Sequence, residues 1–186
     1  MNLEELLIPA KKPKGKWDKY VPVIKQDDTI SIYLTGEIDE PAEYNEACHA
    51  IANATESQTI YLYINTPGGI LDSGFMLVNA LTEAKAHTVA IVQGTVASAG
   101  TIITLACKQV IPKPFSTFMI HNYSMSGGGY SKGHELKQRQ TYMDGHNVRT
   151  FNAIYSGFLT PKEIKEMIDG KDFWMDDIEV TKRLEK

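Results

Sequence analysis

The sequence predicts an α/β fold in which parallel strands alternate with helices. Apolar, β-branched runs of strand length recur along the chain, and segments with helical apolar spacing follow them. The chain has 186 residues, of which 42% are hydrophobic, and this suits one domain with a substantial core. Such alternation favours parallel pairing with right-handed crossovers, in which functional groups gather where strands end and helices begin.

The first strand-turn-helix unit begins at residue 30. Residues 30–34 alternate and have high β propensity, which predicts a strand. After Pro41, apolar residues recur at helical spacing, which predicts a crossover helix. Residues 1–28 show no clear pattern and are predicted to form an N-terminal arm. Residues 29–186 are therefore predicted to form a single domain.

The second unit begins with a strand predicted at residues 59–64 and turns through Gly68 and Gly69. Paired glycines permit backbone conformations that are closed to other residues. After the helix that follows, a buried strand predicted at 88–92 leads to the segment 94–100. Two units in succession predict that the glycine turn and this segment lie at neighbouring ends of the sheet.

A buried helix is predicted directly after the segment 94–100, and beyond it the chain is predicted to contain two short strands and three helices. Residues 109–111 and 117–120 have strand character and are separated by a proline-containing turn. A long helical pattern extends from about Lys132 to Tyr155, and its polar composition suits solvent or a subunit contact. An extended segment is expected at residues 171–175, between a short helix and the last one.

Capping signals indicate where three helices begin. Thr160 and Glu163 have the spacing of a capping box. Asp176 is expected to cap the last helix. Asp72 or Ser73 is expected to cap the helix after the glycine turn.

Composition narrows the classes of function. The formal net charge is -4, and basic residues form no long cluster beyond residues 11–16, so nucleic acid is not an expected partner. No membrane span or secretory signal is evident, so a cytoplasmic protein that binds no membrane is expected. Cys48 and Cys107 have neither metal-ligand nor disulfide spacing, which indicates buried free thiols and no bound metal.

Ser98 lies between small residues at a predicted strand-to-helix junction. A helix that begins there supplies unpaired N–H groups, which favour developing negative charge. His121 closes a predicted strand and Asp172 opens an extended segment. A serine becomes nucleophilic when an imidazole takes its proton and a carboxylate orients that imidazole. These three residues are therefore candidates for nucleophile, base and orienting acid, with the N–H groups of Gly69 and Ala99 as candidate oxyanion donors.

The residue pattern alone leaves alternatives open. Runs of small residues also let a helix pack closely on a sheet without any catalytic role. His121 follows apolar residues and is also explained as a core histidine. Asp172 competes for the acid role with Asp169, Asp176 and Asp177, of which Asp176 is best explained as a cap.

Four blocks of sequence resemble the proteolytic subunit of the caseinolytic (Clp) protease family, ClpP. In order they are YLYINTPGG at 61–69, GTVASAG at 94–100, MIH at 119–121 and DFWM at 172–175. The resemblance covers roughly residues 30–179, and four ordered blocks are far more specific than a lone serine motif. It implies a ClpP/crotonase-like fold of repeated β-β-α units, with a projecting handle helix that begins near Lys132.

The resemblance also implies a role for each candidate residue. It assigns the nucleophile to Ser98, the base to His121 and the orienting acid to Asp172. It assigns the oxyanion donors to the backbone of Gly69 and Ala99. The implied activity is that of a serine endopeptidase acting on unfolded polypeptides and short peptides.

Further implications of the resemblance concern substrate and partners. Gly127, Gly128 and Gly129 correspond to the family's substrate-aligning strand, and Tyr61 and Tyr63 to positions where an unfoldase docks. In the family, two stacked heptameric rings enclose the active sites, and the N-terminal arm forms an axial pore segment. The partner, an AAA+ unfoldase, consumes the ATP, so the chain itself is expected to need no cofactor.

Several alternatives stay open beside this interpretation. An inactive ClpP-like ring subunit would keep the fold as a structural partner. A crotonase-like acyl-CoA enzyme would use paired backbone donors without the serine, and a Ser-Lys peptidase would leave His121 unused. Tyr61 and Tyr63 are also explained as two side chains packed on one face of a strand.

Overall fold

Seven strands and six α-helices form the part of the chain that this computed structural model describes, residues 21–124 and 132–185. The strands are β1 (Val23–Gln26), β2 (Thr29–Thr35), β3 (Thr59–Thr66), β4 (His87–Ala97), β5 (Gln109–Pro112), β6 (Thr117–Ile120) and β7 (Phe173–Asp176). The helices are α1 (Asn45–Asn53), α2 (Leu71–Glu83), α3 (Ala99–Leu105), α4 (Gly133–Tyr155), α5 (Pro161–Ile168) and α6 (Asp177–Leu184). A 3-10 helix at Pro41–Tyr44 precedes α1.

All seven strands join one sheet in the order β1-β2-β3-β4-β6-β7, and β5 pairs with β4 outside this path. The pairs β2–β3, β3–β4, β4–β5 and β4–β6 are parallel. The outer pairs β1–β2 and β6–β7 are antiparallel. The predicted α/β class with parallel central strands is therefore confirmed.

The core-facing positions of β2 and β3 alternate strictly, as the sequence pattern predicts. Each of these side chains is at most 2% exposed: Ile30, Ile32, Leu34, Ile60, Leu62 and Ile64. Burying an aliphatic side chain of this size stabilises the fold by roughly 1.5–3 kcal/mol. Residues 88–92 of the central strand β4 are buried without alternation, because a central parallel strand is covered on both faces.

Two of the three predicted helix caps are confirmed. The Thr160 hydroxyl accepts a hydrogen bond from the Glu163 N–H at 3.2 Å, and the Glu163 carboxylate accepts one from the Thr160 N–H at 2.8 Å. This reciprocal pair is a capping box at the start of α5. The Asp176 carboxylate accepts a hydrogen bond from the Glu179 N–H at 2.8 Å and caps α6.

The predicted cap of α2 by Asp72 or Ser73 is wrong. The helix begins at Leu71, and its N-cap residue Ile70 makes no side-chain capping bond. Ser73 is fully buried, and its hydroxyl donates to the backbone oxygen of Asp39, 34 residues earlier. The Ser73 hydroxyl therefore forms a tertiary hydrogen bond instead of the helix cap that the local spacing predicts.

The N-terminal arm predicted for residues 1–28 contains strand β1. This strand pairs with β2, with Val23 opposite Ile32 and Gln26 opposite Thr29. Its four residues are too few to give a clear alternation, which is why the sequence pattern does not reveal it. Residues 1–20 of the arm, including the pore segment implied there, lie outside the described residues, and the division into arm and domain stays a prediction.

Helix α4 matches the long helix predicted from Lys132 to Tyr155. Its buried residues, Asn147, Phe151 and Tyr155, lie in its C-terminal half. The described residues from 132 to 142 are exposed. The projection of this helix as a handle stays a prediction.

Within residues 21–124 and 132–185, no helix is both long enough and apolar enough to cross a membrane.

Candidate active site

Ser98 occupies the sharp turn between β4 and α3. Its backbone has φ 52° and ψ -124°, a conformation that residues other than glycine rarely adopt. A strained strand-to-helix turn of this kind presents the nucleophile in α/β-hydrolases. Ser98 is half-buried, whereas its neighbours Ala97 and Ala99 are buried.

A bulge in β4 sets the position of this turn. The pairing of β4 with β3 shifts register between Ile64 and Thr66, which lie opposite Val92 and Val96. Before the shift β4 pairs with β5, and after it β4 pairs with β6. A bulge bends the strand that carries the extra residues, so the last residues of β4 are directed toward β6.

Asn65 and Gly94 face each other at the bulge. The Asn65 side-chain oxygen accepts a hydrogen bond from the Thr95 N–H at 3.2 Å. A Cβ at position 94 would lie 2.8 Å from that oxygen, so a larger residue would require the Asn65 side chain to move. Because of the bulge, β4 is longer than the strand predicted at 88–92.

The glycine turn after β3 packs directly on Ser98. A Cβ at Gly68 would lie 2.6 Å from the Cβ of Ser98, and one at Gly69 would lie 2.1 Å from the backbone oxygen of Ile38. Both glycines have positive φ, 95° and 149°. The prediction that this turn and the serine segment lie at neighbouring ends of the sheet is confirmed.

The two predicted oxyanion donors lie outside the hydrogen bonds that hold this turn. The Ile38 N–H donates to the Gly68 oxygen, and the Ile38 oxygen accepts from the Ile70 N–H, both at 2.8 Å. The Gly69 N–H takes part in neither of these two hydrogen bonds. Ala99 is the first residue of α3, where an N–H has no acceptor within its own helix. The use of these groups as oxyanion donors stays a prediction.

His121 directly follows β6, the strand that ends beside Ser98. Ala97 lies opposite Met119 in the parallel pair, and the Ser98 N–H donates to the Met119 oxygen at 2.9 Å. His121 comes two residues later and is half-buried, which does not fit the core histidine considered above.

Asp172 directly precedes β7, which pairs with β6 in antiparallel register. Ile120 lies opposite Phe173, and the register continued by one residue sets His121 against Asp172. Asp172 is exposed. In the described part of the chain, no hydrogen bond or ion pair joins the side chains of Ser98, His121 and Asp172, so their triad stays a prediction.

The other carboxylates considered for the acid role have different partners. Asp169 forms an ion pair with Lys165 on α5. Asp176 caps α6, and Asp177 accepts a backbone N–H from the loop before β6. Each of these partners is separate from His121.

A cavity of about 220 Å³ begins at Asn122, the residue that follows His121 in sequence. Its lining residues are Asn122, Tyr123, Asp144, Asn147, Val148 and Ile168. The Asn122 amide donates to the Ile168 oxygen at 2.9 Å, and the Tyr123 hydroxyl donates to Asp144. Asn147 is 1% exposed, and neither its side-chain nitrogen nor its oxygen has a hydrogen-bond partner among the described residues.

Two hydroxyls behind Ser98 were not predicted from the sequence. The Thr101 hydroxyl lies 2.7 Å from the Ser98 backbone oxygen, and the Tyr155 hydroxyl lies 2.7 Å from that of Thr101. The three-residue spacing of Thr101 from Ser98 is a usable signal, because threonine often bonds a carbonyl one turn earlier. Tyr155 is 54 residues from Thr101 in sequence, and no local pattern indicates the contact.

Neither cysteine resembles an activated nucleophile. Cys107 is buried, and burial raises the pKa of its thiol to about 12. Cys48 is only half-buried, and burial raises its pKa as well. Both are free thiols, as predicted, although Cys48 is less buried than expected. Thiolate chemistry needs a lowered pKa, so Ser98 is the better candidate.

Tyr61 and Tyr63 are half-buried residues of β3 with aromatic neighbours. The Tyr63 ring stacks on Tyr33 of β2 with centroids 4.8 Å apart, and it lies 6.5 Å from the Tyr61 ring. These contacts agree with the packing interpretation, and unfoldase docking stays a prediction. The substrate-aligning strand predicted at Gly127, Gly128 and Gly129 lies outside the described residues.

Comparisons with known proteins agree with the four sequence blocks. The Clp protease family model matches residues 14–182. An ATP-dependent Clp protease proteolytic subunit of Streptococcus suis is 38% identical over 175 residues, covering 86% of this chain and 82% of the relative. A proteolytic subunit 2 of Pseudomonas aeruginosa is 27% identical over 148 residues, covering 77% and 72%. With a family match over most of its length and relatives aligned across the same span, this chain belongs to the Clp protease family.

Proposed function

We propose that the chain is the proteolytic subunit of an ATP-dependent protease and acts as a serine endopeptidase on unfolded polypeptides and short peptides. The observation that carries this proposal is the backbone of Ser98, a strained strand-to-helix turn packed against Gly68 in a member of the Clp protease family. A conformation this unfavourable persists only where its surroundings enforce it, and such positions cluster at active sites.

In the proposed reaction, Ser98 Oγ attacks the carbonyl carbon of the peptide bond while His121 takes the hydroxyl proton. The N–H groups of Gly69 and Ala99 bind the oxyanion, and Asp172 stabilises the imidazolium. The intermediate collapses to an acyl-enzyme, and His121 protonates the departing amine. Water then attacks the ester, with His121 again as base, and releases the acid product and free Ser98.

The proposal includes assembly, because the side chains of Ser98, His121 and Asp172 are not hydrogen-bonded to one another within the described single chain. We expect self-association into stacked heptameric rings to align His121 with both partners. Catalytic hydrogen bonds are often long in the unliganded state and tighten only around substrate. The cavity lined by Asn122 would then receive a substrate side chain.

The proposal also includes an ATP-driven unfoldase as partner. The relatives are called ATP-dependent Clp protease proteolytic subunits, a name that makes ATP a requirement of their protease. We propose that the unfoldase uses the ATP, that Tyr61 and Tyr63 contribute to its docking surface, and that this chain needs no cofactor.

Labelling with a serine-directed fluorophosphonate tests the proposal. The purified protein is labelled beside Ser98→Ala, and size-exclusion chromatography reports its assembly state. Ser57→Ala is the matched control, since Ser57 is an exposed serine in the loop between α1 and β3. We expect labelling of wild type and Ser57→Ala in a large assembly and none of Ser98→Ala.

A second candidate function is that of an inactive ring subunit. The lack of side-chain hydrogen bonds among Ser98, His121 and Asp172 in the described residues favours this alternative. An assembled ring that the fluorophosphonate does not label would support it. Absence of labelling in a monomer would instead indicate that assembly is incomplete.

A further inference from the structure

We propose that Thr101 and Tyr155 are positioning residues that hold the backbone carbonyl of Ser98 through a buried chain of two hydrogen bonds. The inference rests on the proposed function, in which Ser98 is the nucleophile and the Ala99 N–H is an oxyanion donor. According to this inference, one hydroxyl from α3 and one from α4 orient the backbone of the proposed oxyanion site.

The direction of the hydrogen bonds follows from proton count. The Thr101 hydroxyl donates to the Ser98 oxygen at 2.7 Å, and a threonine hydroxyl carries one hydrogen. The Tyr155 hydroxyl, 2.7 Å from the Thr101 oxygen, must therefore be the donor to it. Burial raises the pKa of Tyr155, so its phenol keeps the proton that it donates.

Both hydroxyls are shielded from water. Thr101 is 0% exposed and Tyr155 is 1% exposed. Water therefore cannot replace either partner without entering the core. Tyr155 is the last residue of α4, so the chain joins the end of that helix to the first turn of α3.

The Ser98 oxygen and the Ala99 N–H belong to the same planar peptide unit. In a trans peptide the two groups point in opposite directions. Whatever fixes the Ser98 oxygen therefore also fixes the direction of the Ala99 N–H, the proposed oxyanion donor. Donors contribute to catalysis only when they are aimed in advance at the developing charge.

Contacts on both sides fix the backbone at Ser98. Its N–H donates to the Met119 oxygen at 2.9 Å, and its oxygen accepts from the Thr101 N–H at 2.9 Å as well as from the Thr101 hydroxyl. When the hydrogen bond from the Thr101 hydroxyl is removed, the Ser98 oxygen keeps only the one from the Thr101 N–H. We expect the protein to stay folded, while the strained peptide between Ser98 and Ala99 is held less firmly in one orientation.

Thr104 provides a matched control within α3. It is also 0% exposed, and its hydroxyl donates to the Gly100 oxygen at 2.8 Å, in the same one-turn pattern. Its bond does not involve Ser98. Thr104→Val and Thr101→Val therefore remove similar hydroxyl hydrogen bonds from the same helix. Only Thr101→Val removes a bond to Ser98.

The experiment compares wild type with Tyr155→Phe, Thr101→Val, Thr101→Ser and Thr104→Val. It measures the rate of fluorophosphonate labelling, kcat and KM on a fluorogenic peptide, and the thermal unfolding midpoint. Tyr155→Phe and Thr101→Val should lower the labelling rate and kcat about three- to tenfold, the range for loss of one buried hydrogen bond, with KM unchanged. Thr101→Ser should restore most of the rate lost in Thr101→Val, while Thr104→Val should keep the wild-type rate.

Two results of the kinetic comparison would overturn the inference. One is a wild-type labelling rate in Tyr155→Phe, and the other is an equal loss of rate in Thr104→Val and Thr101→Val. The second result would show that the loss follows from helix stability alone.

Hydrogen–deuterium exchange separates this inference from the proposed function. The Thr101 amide donates to the Ser98 oxygen, so it should exchange faster in Tyr155→Phe than in wild type. Assembled wild-type protein that resists labelling would contradict the proposed function, yet faster exchange in the variant would still uphold the positioning role. Unchanged exchange would overturn that role whatever the labelling result.

Discussion

Gly68 lies against Ser98 so closely that a Cβ at position 68 would come within 2.6 Å of the Ser98 Cβ and 2.7 Å of the Ala97 oxygen. Real Cβ atoms do not approach other atoms this closely, so any larger residue must displace the turn, the serine or both. The contact links the end of β3 to the proposed nucleophile at the end of β4.

We predict that Gly68→Ala abolishes fluorophosphonate labelling. The new methyl group meets the Ser98 Cβ and the Ala97 oxygen, and φ of 95° adds strain. Gly157→Ala is the matched control, because Gly157 has φ 92° with open space around the Cβ position. Left-handed strain alone costs about 1–2 kcal/mol, so Gly157→Ala should lose some stability and keep its labelling. Equal labelling of the two variants would contradict the role assigned to the contact.

We predict that Asp172→Asn lowers peptide hydrolysis by about 10⁴-fold while assembly is retained. In other serine triads, amidation of the orienting acid has an effect of this size because the histidine then adopts the wrong tautomer. Asp169→Asn is the control, since its carboxylate pairs with Lys165 on the helix surface. Steady-state kinetics on a fluorogenic peptide measures both. Normal turnover in Asp172→Asn would move the acid role to another residue.

Local signals in the sequence were sufficient for elements that depend on neighbouring residues. The box of Thr160 and Glu163 and the cap at Asp176 form between residues three apart, so spacing reveals them. Ser98 was predicted as a candidate for a similar reason, because small residues and a change from strand to helix are visible in one short segment.

Three features that depend on distant contacts were not predicted. The hydroxyl of Ser73 bonds Asp39 instead of capping α2, and the Tyr155 hydroxyl reaches Thr101 from another helix. The length of β4 depends on a bulge at which Asn65 of β3 meets Gly94. Each of these contacts joins residues at least 29 positions apart, and the Asn65–Gly94 pair has the shortest separation. Periodicity along the chain therefore does not reveal any of these contacts.

We predict that Asn147→Leu stabilises the isolated chain. Asn147 is 1% exposed, and both polar atoms of its side chain lack hydrogen-bond partners among the described residues. A buried polar group left unpaired costs about 1–3 kcal/mol, which leucine of similar volume would not incur. Asn152→Leu is the control, because the Asn152 amide bonds the Val148 oxygen on the exposed side of α4. Denaturant unfolding measures both, and a destabilised Asn147→Leu would mean that Asn147 has a partner.

The ion pair between Glu163 and Arg183 predicts how stability depends on pH. Arg183 donates to both carboxylate oxygens, at 3.1 and 2.8 Å, and ties α6 to the start of α5. These hydrogen bonds, together with those from Thr160, lower the pKa of Glu163 from its ordinary 4.5 to about 2. Because the folded-state pKa lies below that of the unfolded chain, the pair stabilises the protein above pH 4.5, and this contribution is lost as the pH falls toward 2.

We therefore predict that Arg183→Gln lowers the free energy of unfolding at pH 7 by about 1.5–3 kcal/mol, the range for hydrogen bonds to charged groups. The variant should also lose less stability than wild type between pH 4.5 and pH 2, because the pKa of its Glu163 is then lowered only by the hydrogen bonds from Thr160. Lys165→Gln is the control, since its ion pair with Asp169 is exposed, and such pairs contribute little. Urea unfolding at several pH values measures all three proteins, and parallel pH profiles for wild type and Arg183→Gln would contradict the assignment.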